Sequence, residues 1–303
     1  MTLRRRVGRA PSRGLWPRAR ALAWLVLGAG AWLGAPAPSA LAQTVAPGEL
    51  RWGGDAEGGA PFVEADPREP SRVVGFDVEV AQLVAAGLGL TPRFVQSGFT
   101  TLEAAAARGD FDIGLSGIED SATRRARLAV TVPYYAFREV LTVRTEDAGR
   151  YRTMSDLAGR RVATLGATLA FDLLSAAQVR HGVVPVPYED DVHPYSDLAL
   201  GRVDAVLLDE VLAERGVRRN PGLSNQETDV GGGYYVGVLA PGRSALRDRV
   251  DTVLRAAMRD GRLEAIFRRW NLWSPAQARL YVRVLAGEPL EPATGPVRCL
   301  STR

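Results

Sequence analysis

Residues 109–125, GDFDIGLSGIEDSATRR, hold the side chains best suited to grip a small anion. Phe111, Ile113 and Leu115 alternate with Asp112 and Gly114, the period of a half-buried strand. Ser116-Gly117 breaks that strand. Ser121, three residues before Arg124, has the spacing of a helix N-cap, which sets Arg124 beside backbone N–H groups that welcome an anion. A guanidinium held by a short loop is shaped to fork onto a carboxylate. The plainer reading of the same residue is a solvated helix arginine. Two further acids, Asp77 and Glu79, fall in the first turn of an expected helix, where they complement its dipole and need no catalytic role.

The elements that must position these groups follow the apolar periodicity. A strand is expected at 49–54, followed by a glycine-rich loop around Asp55 that lacks the Lys-Ser/Thr or GxGxxG of a phosphate cradle. Val80, Leu83, Val84 and Leu88 define one face of a helix. A strand at 91–95 leads to a loop carrying Phe99 and a helix at 101–108. After Pro133-Tyr134-Tyr135 an alternating strand runs from 139 to 145. A second set then repeats the rhythm: strand 161–165, the turn Gly166-Ala167-Thr168, helix 169–180, strand 183–187, helix 195–200, strand 203–208 ending at Asp209-Glu210, and a helix to about 215. A strand at 231–240, a helix from Ser244 through Met258, and a last helix burying Leu263, Ile266, Phe267 and Trp270 complete the pattern. Strands alternating with helices imply an α/β sheet in each half. The alternating strands on either side of the second set imply two lobes joined by two crossings, with a cleft between them.

Composition narrows the chemistry. The chain has 303 residues, 46% apolar and 24% charged, enough for two domains with a real core. Every basic residue is Arg, which excludes a P-loop lysine, a Schiff-base lysine and a Ser-Lys pair. A single cysteine, Cys299, and two histidines, His181 and His193, argue against a disulfide or a zinc site, and no cofactor is expected. The formal charge of +4 is dominated by residues 1–42, which carry seven Arg and no acid; without them it is 4 − 7 = −3. No nucleic-acid partner is expected. Residues 1–42 have the form of a secretory signal: an Arg-rich start, an apolar run at 21–35, and Ala40-Leu41-Ala42 ahead of a cleavage site. The mature chain is expected to begin at Gln43, outside the cytoplasm, and the Pro-rich tail 286–303 to be loose.

The segment GFDVEVAQLVAAGL resembles the signature helix of bacterial extracellular solute-binding proteins, family 3, the polar amino acid binders of ABC importers. The runs DFDIGLSGIEDSATRRARLAVTVPYY, GRRVATLGAT, GRVDAVLLDEVLA and WNLW follow in the family's order, so the resemblance spans about 49–275. It implies a two-lobe periplasmic binding protein fold of type II, each lobe a sheet flanked by helices, joined by two hinge strands. It places lobe 1 at 43–143 and 232–285 and lobe 2 at 144–231. It implies a monomeric receptor that passes an amino acid to an inner-membrane permease. Carried over residue by residue, Arg124 grips the ligand carboxylate from lobe 1, while Thr168 and the N–H groups after Gly166 meet it from lobe 2. Asp209 receives the α-ammonium, Ser116 and Gly117 touch the ligand from their loop, Phe99 covers the side chain, and Asp55 meets its polar end.

Two departures bear on specificity. Glu119 stands where the family has Thr or Ser, setting a carboxylate near Arg124. Glu57-Gly58-Gly59-Ala60 stands where an aromatic precedes the proline. With Asp55 and Glu57, Glu119 makes an acidic pocket that favours a basic or amide side chain. Thr168 and Asp209 also read as simple helix caps. Two other functions fit the same scaffold. One is an enzyme of the cyclohexadienyl or arogenate dehydratase kind, recruiting Glu119 and Glu210 as acids. The other is the sensing partner of a membrane receptor.

Overall fold

The computed structural model describes residues 44–227 and 230–292. The signal segment 1–42, Gln43, and residues 293–303 with Cys299 lie outside them.

The first lobe is built on a five-stranded sheet. Strand β1 (Glu49–Gly54) pairs in parallel with β4 (Thr91–Gln96) on one side and β5 (Ile113–Gly114) on the other. Two parallel pairings require crossovers, and helices α1 (Phe76–Leu88) and α2 (Phe99–Arg108) supply them. A hairpin of β2 (Glu64–Ala65) and β3 (Val73–Val74) precedes α1. The short helix α3 (Ala122–Arg127) leads to β6 (Ala129–Val130), which joins the sheet through β13 (Val238–Leu239), giving the order β4-β1-β5-β13-β6. Helix α1 buries Phe76, Val80 and Val84, and ends where Gly89 takes φ 71°.

The second sheet carries the other lobe. The long strand β7 (Tyr135–Arg144) pairs antiparallel with β10 (Ala205–Asp209) and β11 (Leu223–Asn225). Strand β8 (Arg161–Leu165) lies parallel between β10 and β9 (Val184–Tyr188). Helices α4 (Leu169–His181), α5 (His193–Ala199) and α6 (Glu210–Arg219) alternate with these strands. Residues 135–138 of β7 also pair with β12 (Gly232–Tyr235), so the two crossings between lobes lie side by side. Gly232 permits this closeness, since a Cβ there would come 2.4 Å from the Phe137 carbonyl oxygen. Beneath the crossings Tyr135, Tyr235 and Phe137 stack with ring centroids 4.7 to 5.4 Å apart. Helices α7 (Ser244–Arg259), α8 (Arg262–Arg269) and α9 (Pro275–Ala286) return the chain to the first lobe.

Several expectations shift. Phe99 opens helix α2 instead of standing in a loop. The strand expected over 111–115 shortens to two residues, because the Asp112 carboxylate itself accepts the N–H groups of Val45 (2.6 Å) and Arg51 (2.9 Å). The strand expected at 231–240 divides into β12 and β13. Ser244 begins α7 instead of capping it, and no side chain caps that end. Helix α9 was not anticipated, although Ser274-Pro275 is a cap followed by proline at the first helical position. The tail is ordered further than expected, with Leu290 buried and Glu288 accepting from Arg283 at 3.0 Å.

Candidate functional site

The loop 115–121 carries the site, and it is pinned from two directions. The buried Asp77 carboxylate accepts the N–H groups of Ser116 and Gly117, each at 2.9 Å. Those contacts hold Ser116 at φ 120° and Gly117 at φ 66°, where a Cβ on Gly117 would meet the Phe62 ring at 2.4 Å. Burial raises the Asp77 pKa to about 6 despite these donors. On the other side, Asp120 N–H donates to Tyr234 and Val236 N–H to Ile118, each at 2.8 Å. Glu119 lies between these bonds and bridges Tyr235, so its side chain has a fixed origin.

From there the Glu119 carboxylate crosses to the second lobe. Its Oε2 accepts the Leu169 N–H at 2.7 Å, at the start of helix α4, where dipole and unpaired donors favour an anion. Burial is the largest influence on this group and lifts its pKa to about 7; Arg124 and the Leu169 bond oppose the rise, while Asp209 adds to it. Arg124 crosses in the same place. Its Nη2 donates to the Ala167 carbonyl at 3.0 Å, its Nη1 to the Glu119 carbonyl at 2.8 Å, and its Nε to Glu103 at 2.8 Å. The Arg124 backbone N–H goes to Ser121 Oγ at 3.2 Å, confirming the cap expected from spacing. Every nitrogen of the Arg124 side chain thus has a protein partner.

Deeper in the cleft stand two more carboxylates. Glu139 and Asp209 are register partners on β7 and β10, so their side chains share one face of the sheet. Asp209 caps helix α6, one oxygen accepting from Val211 at 2.9 Å and Leu212 at 3.0 Å. Burial raises its pKa to about 6. Glu139 is 1% exposed, and neither of its oxygens reaches a hydrogen-bond partner, although the Ala170 N–H faces it. Burial, followed by the neighbouring Glu119 and Asp209, pushes its carboxyl well above the usual range. Together Glu119, Glu139 and Asp209 line a narrow cavity of about 30 Å³, room for a water or so.

Phe99, Ser116, Gly117 and Thr168 line the same cavity. Thr168 acts as the N-cap of α4, accepting from Phe171 N–H at 3.2 Å and donating to the Leu165 carbonyl at 2.7 Å. Arg124 borders an outer recess with Glu103, Glu119 and Thr168. Asp55 and Gly166 line neither. Asp55 accepts from Glu57, Gly58 and Gln96 on one oxygen and from Phe99 N–H (3.0 Å) on the other, so it shapes the glycine loop. Gly166 donates its N–H to Tyr188 at 3.2 Å. Sequence reasoning passed over Glu139 and Phe62. A lone acid beside Val140 and Leu141 was the available signal for Glu139, since a strand buried on both faces has no place for a solvated carboxylate. Among the described residues no group of three His, Cys, Asp or Glu side chains is placed to hold a metal ion.

Comparison with known proteins agrees with this architecture. The chain is 25% identical over 206 residues to ABC transporter arginine-binding protein 1 of Escherichia coli (strain K12), covering 66% of this chain and 82% of that protein. It is 26% identical over 211 residues to an L-cystine-binding protein of the same organism, covering 67% and 76%. Among solved structures, an ancestral arginine-binding protein bound to arginine superposes with a TM-score of 0.68 at 25% identity, covering 74% of this chain and 98% of that one. Residues 51–272 match the model of one family over most of the chain. The two-lobed protein belongs to the bacterial extracellular solute-binding proteins, family 3.

Proposed function

We propose that this chain is the periplasmic receptor of an ABC importer, closing its two lobes on a polar, positively charged solute of the amino-acid kind and delivering it to an inner-membrane permease. The observation that carries this reading is the convergence of Glu119, Glu139 and Asp209 on one narrow cavity between the lobes. In a buried site a charged solute is held by desolvated, charge-assisted bonds, each worth about 1.5–3 kcal/mol net. Opening and closing turn on the paired crossings β7 and β12, and contacts from both lobes favour the closed form. Phe99, Ser116, Gly117 and Thr168 shape the walls, Arg124 clasps the lobes, and Asp55 and Gly166 support the loops behind them. Lobe 1 is taken as 43–143 with 232–285, and lobe 2 as 144–231. The receptor acts as a monomer, exported by the segment 1–42.

The arginine- and cystine-binding relatives support the class of solute. The reading has no catalytic step. Glu210, one of the two acids a dehydratase would recruit, instead accepts from Arg138 Nε at 3.0 Å and does not line the cavity. Calorimetric titration of the purified chain against the twenty amino acids and their amine derivatives tests the proposal. Saturable binding with one site per chain is expected, and turnover of any bound compound would refute it.

A further inference from the structure

The features of this cleft that attract anions are already used by the chain itself. Leu169 N–H is bonded to Glu119 at 2.7 Å and Phe171 N–H to Thr168 at 3.2 Å. All three Arg124 side-chain nitrogens are bonded to protein oxygens, and Arg124 does not border the inner cavity. A solute carboxylate entering that cavity would meet the three acidic groups Glu119, Glu139 and Asp209, with no cationic side chain among the lining residues to offset the repulsion. A cation meets the reverse. Glu139 offers two buried oxygens that lack any partner, an arrangement that costs free energy until a donor arrives. Asp209 and Glu119 stand around the same space, and Phe62 and Phe99 bring aromatic rings to it. At about 30 Å³ the cavity holds a water or so, and a solute enters it only as the lobes part.

We propose that the solute is a compact organic cation without a carboxylate, an amine, diamine or guanidine, and that Glu119 stands where an amino acid would place its own carboxylate. The inference rests on the reading of the cleft as the solute site and alters only which end of an amino-acid-like molecule is recognised. Glu139 then becomes a specificity-determining residue, receiving the cation deep in the cleft, with Asp209 beside it.

Calorimetric titration of the purified full chain with ethanolamine, putrescine, agmatine and guanidinium, each set against serine, ornithine and arginine, decides the matter. At least one cation is expected to bind at least 100-fold more tightly than any of the amino acids. Glu119→Ser should weaken that cation at least tenfold and strengthen the matching amino acid by a similar factor. Glu139→Gln should weaken the cation at least tenfold, with a cooperative thermal transition showing that each variant is folded. If an amino acid binds the unaltered chain as tightly as any of the cations, this inference is overturned while the receptor reading stands. If the folded chain binds neither set, both fall together.

Discussion

The carboxylate of Glu119 in one lobe accepts the backbone N–H of Leu169 in the other at 2.7 Å, so the protein closes its cleft with its own acid. The contact joins a loop whose Ser116 and Gly117 N–H groups are bonded to Asp77 to a helix end capped by Thr168. Glu119→Ala removes a charge-assisted bond worth about 1.5–3 kcal/mol toward closure. The ligand-free variant is expected to populate a more open form, read as a larger radius of gyration by small-angle scattering. An unchanged scattering profile would show that other contacts hold the lobes.

Arg124 is bonded to Glu103, to its own loop at Glu119, and across the cleft to Ala167. Arg124→Ala leaves the two carbonyls without these donors; Glu103 is partly exposed, so water recovers part of the loss there. A loss of about 2–3 kcal/mol of unfolding free energy is expected from urea denaturation. Arg124→Lys should recover little of it, because an ammonium cannot reproduce three diverging planar donors.

The buried acids give the protein a distinctive response to pH. Glu119 (about 7) and Asp209 (about 6) hold their protons more tightly folded than unfolded, as do Asp77 (about 6) and Glu139. The folded state therefore binds more protons than the unfolded chain between about pH 4 and pH 7, and stability falls as pH rises through that window. The groups facing Glu119 are Arg124, which resists the rise in its pKa, and Asp209 and Asp172, which add to it. A bound cation reverses the trend, because it requires ionised carboxylates and expels their protons. The midpoint of thermal unfolding should drop from pH 5 to pH 8 for the empty protein, and the upward shift on adding solute should be larger at pH 8.

Glu139 should cost the empty protein stability whenever it is charged. Glu139→Gln removes the titrating group while keeping its shape, and its stabilising effect is expected to grow as pH rises, because burial favours the neutral carboxyl. Urea denaturation at a series of pH values reads it, and an effect that does not change with pH would show that the carboxyl does not ionise over that range.

Asp77 is the support on which the site loop is built. Asp77→Ala strips the acceptor from the Ser116 and Gly117 N–H groups and relaxes Ser116 from its φ of 120°. A loss of about 2–4 kcal/mol of stability and at least tenfold weaker solute binding are expected. Chemical denaturation and calorimetry read the two effects separately.

Much of this was written along the chain. Apolar periodicity located the buried face of α1, and the helix expected at 169–180 ends within one residue of α4, because a helix that buries one face must repeat its apolar side chains at that spacing. The helix expected to end at residue 108 does so, because Gly109 takes a positive φ there. Ser121, Thr168 and Asp209 were legible as caps, since a cap is a contact between near neighbours. What the sequence could not supply was which acids meet. Glu119, Glu139 and Asp209 are separated by long stretches of chain, and only sheet register and lobe closure bring them to one cavity. Nor could it show that Asp55 is bonded to its own loop and neighbouring residues, or that Arg124 reaches Ala167. Local spacing fixes what a residue does for its own helix or strand; the partner it meets across the cleft depends on the relative placement of elements far apart in sequence, and that is a property of the packed tertiary structure.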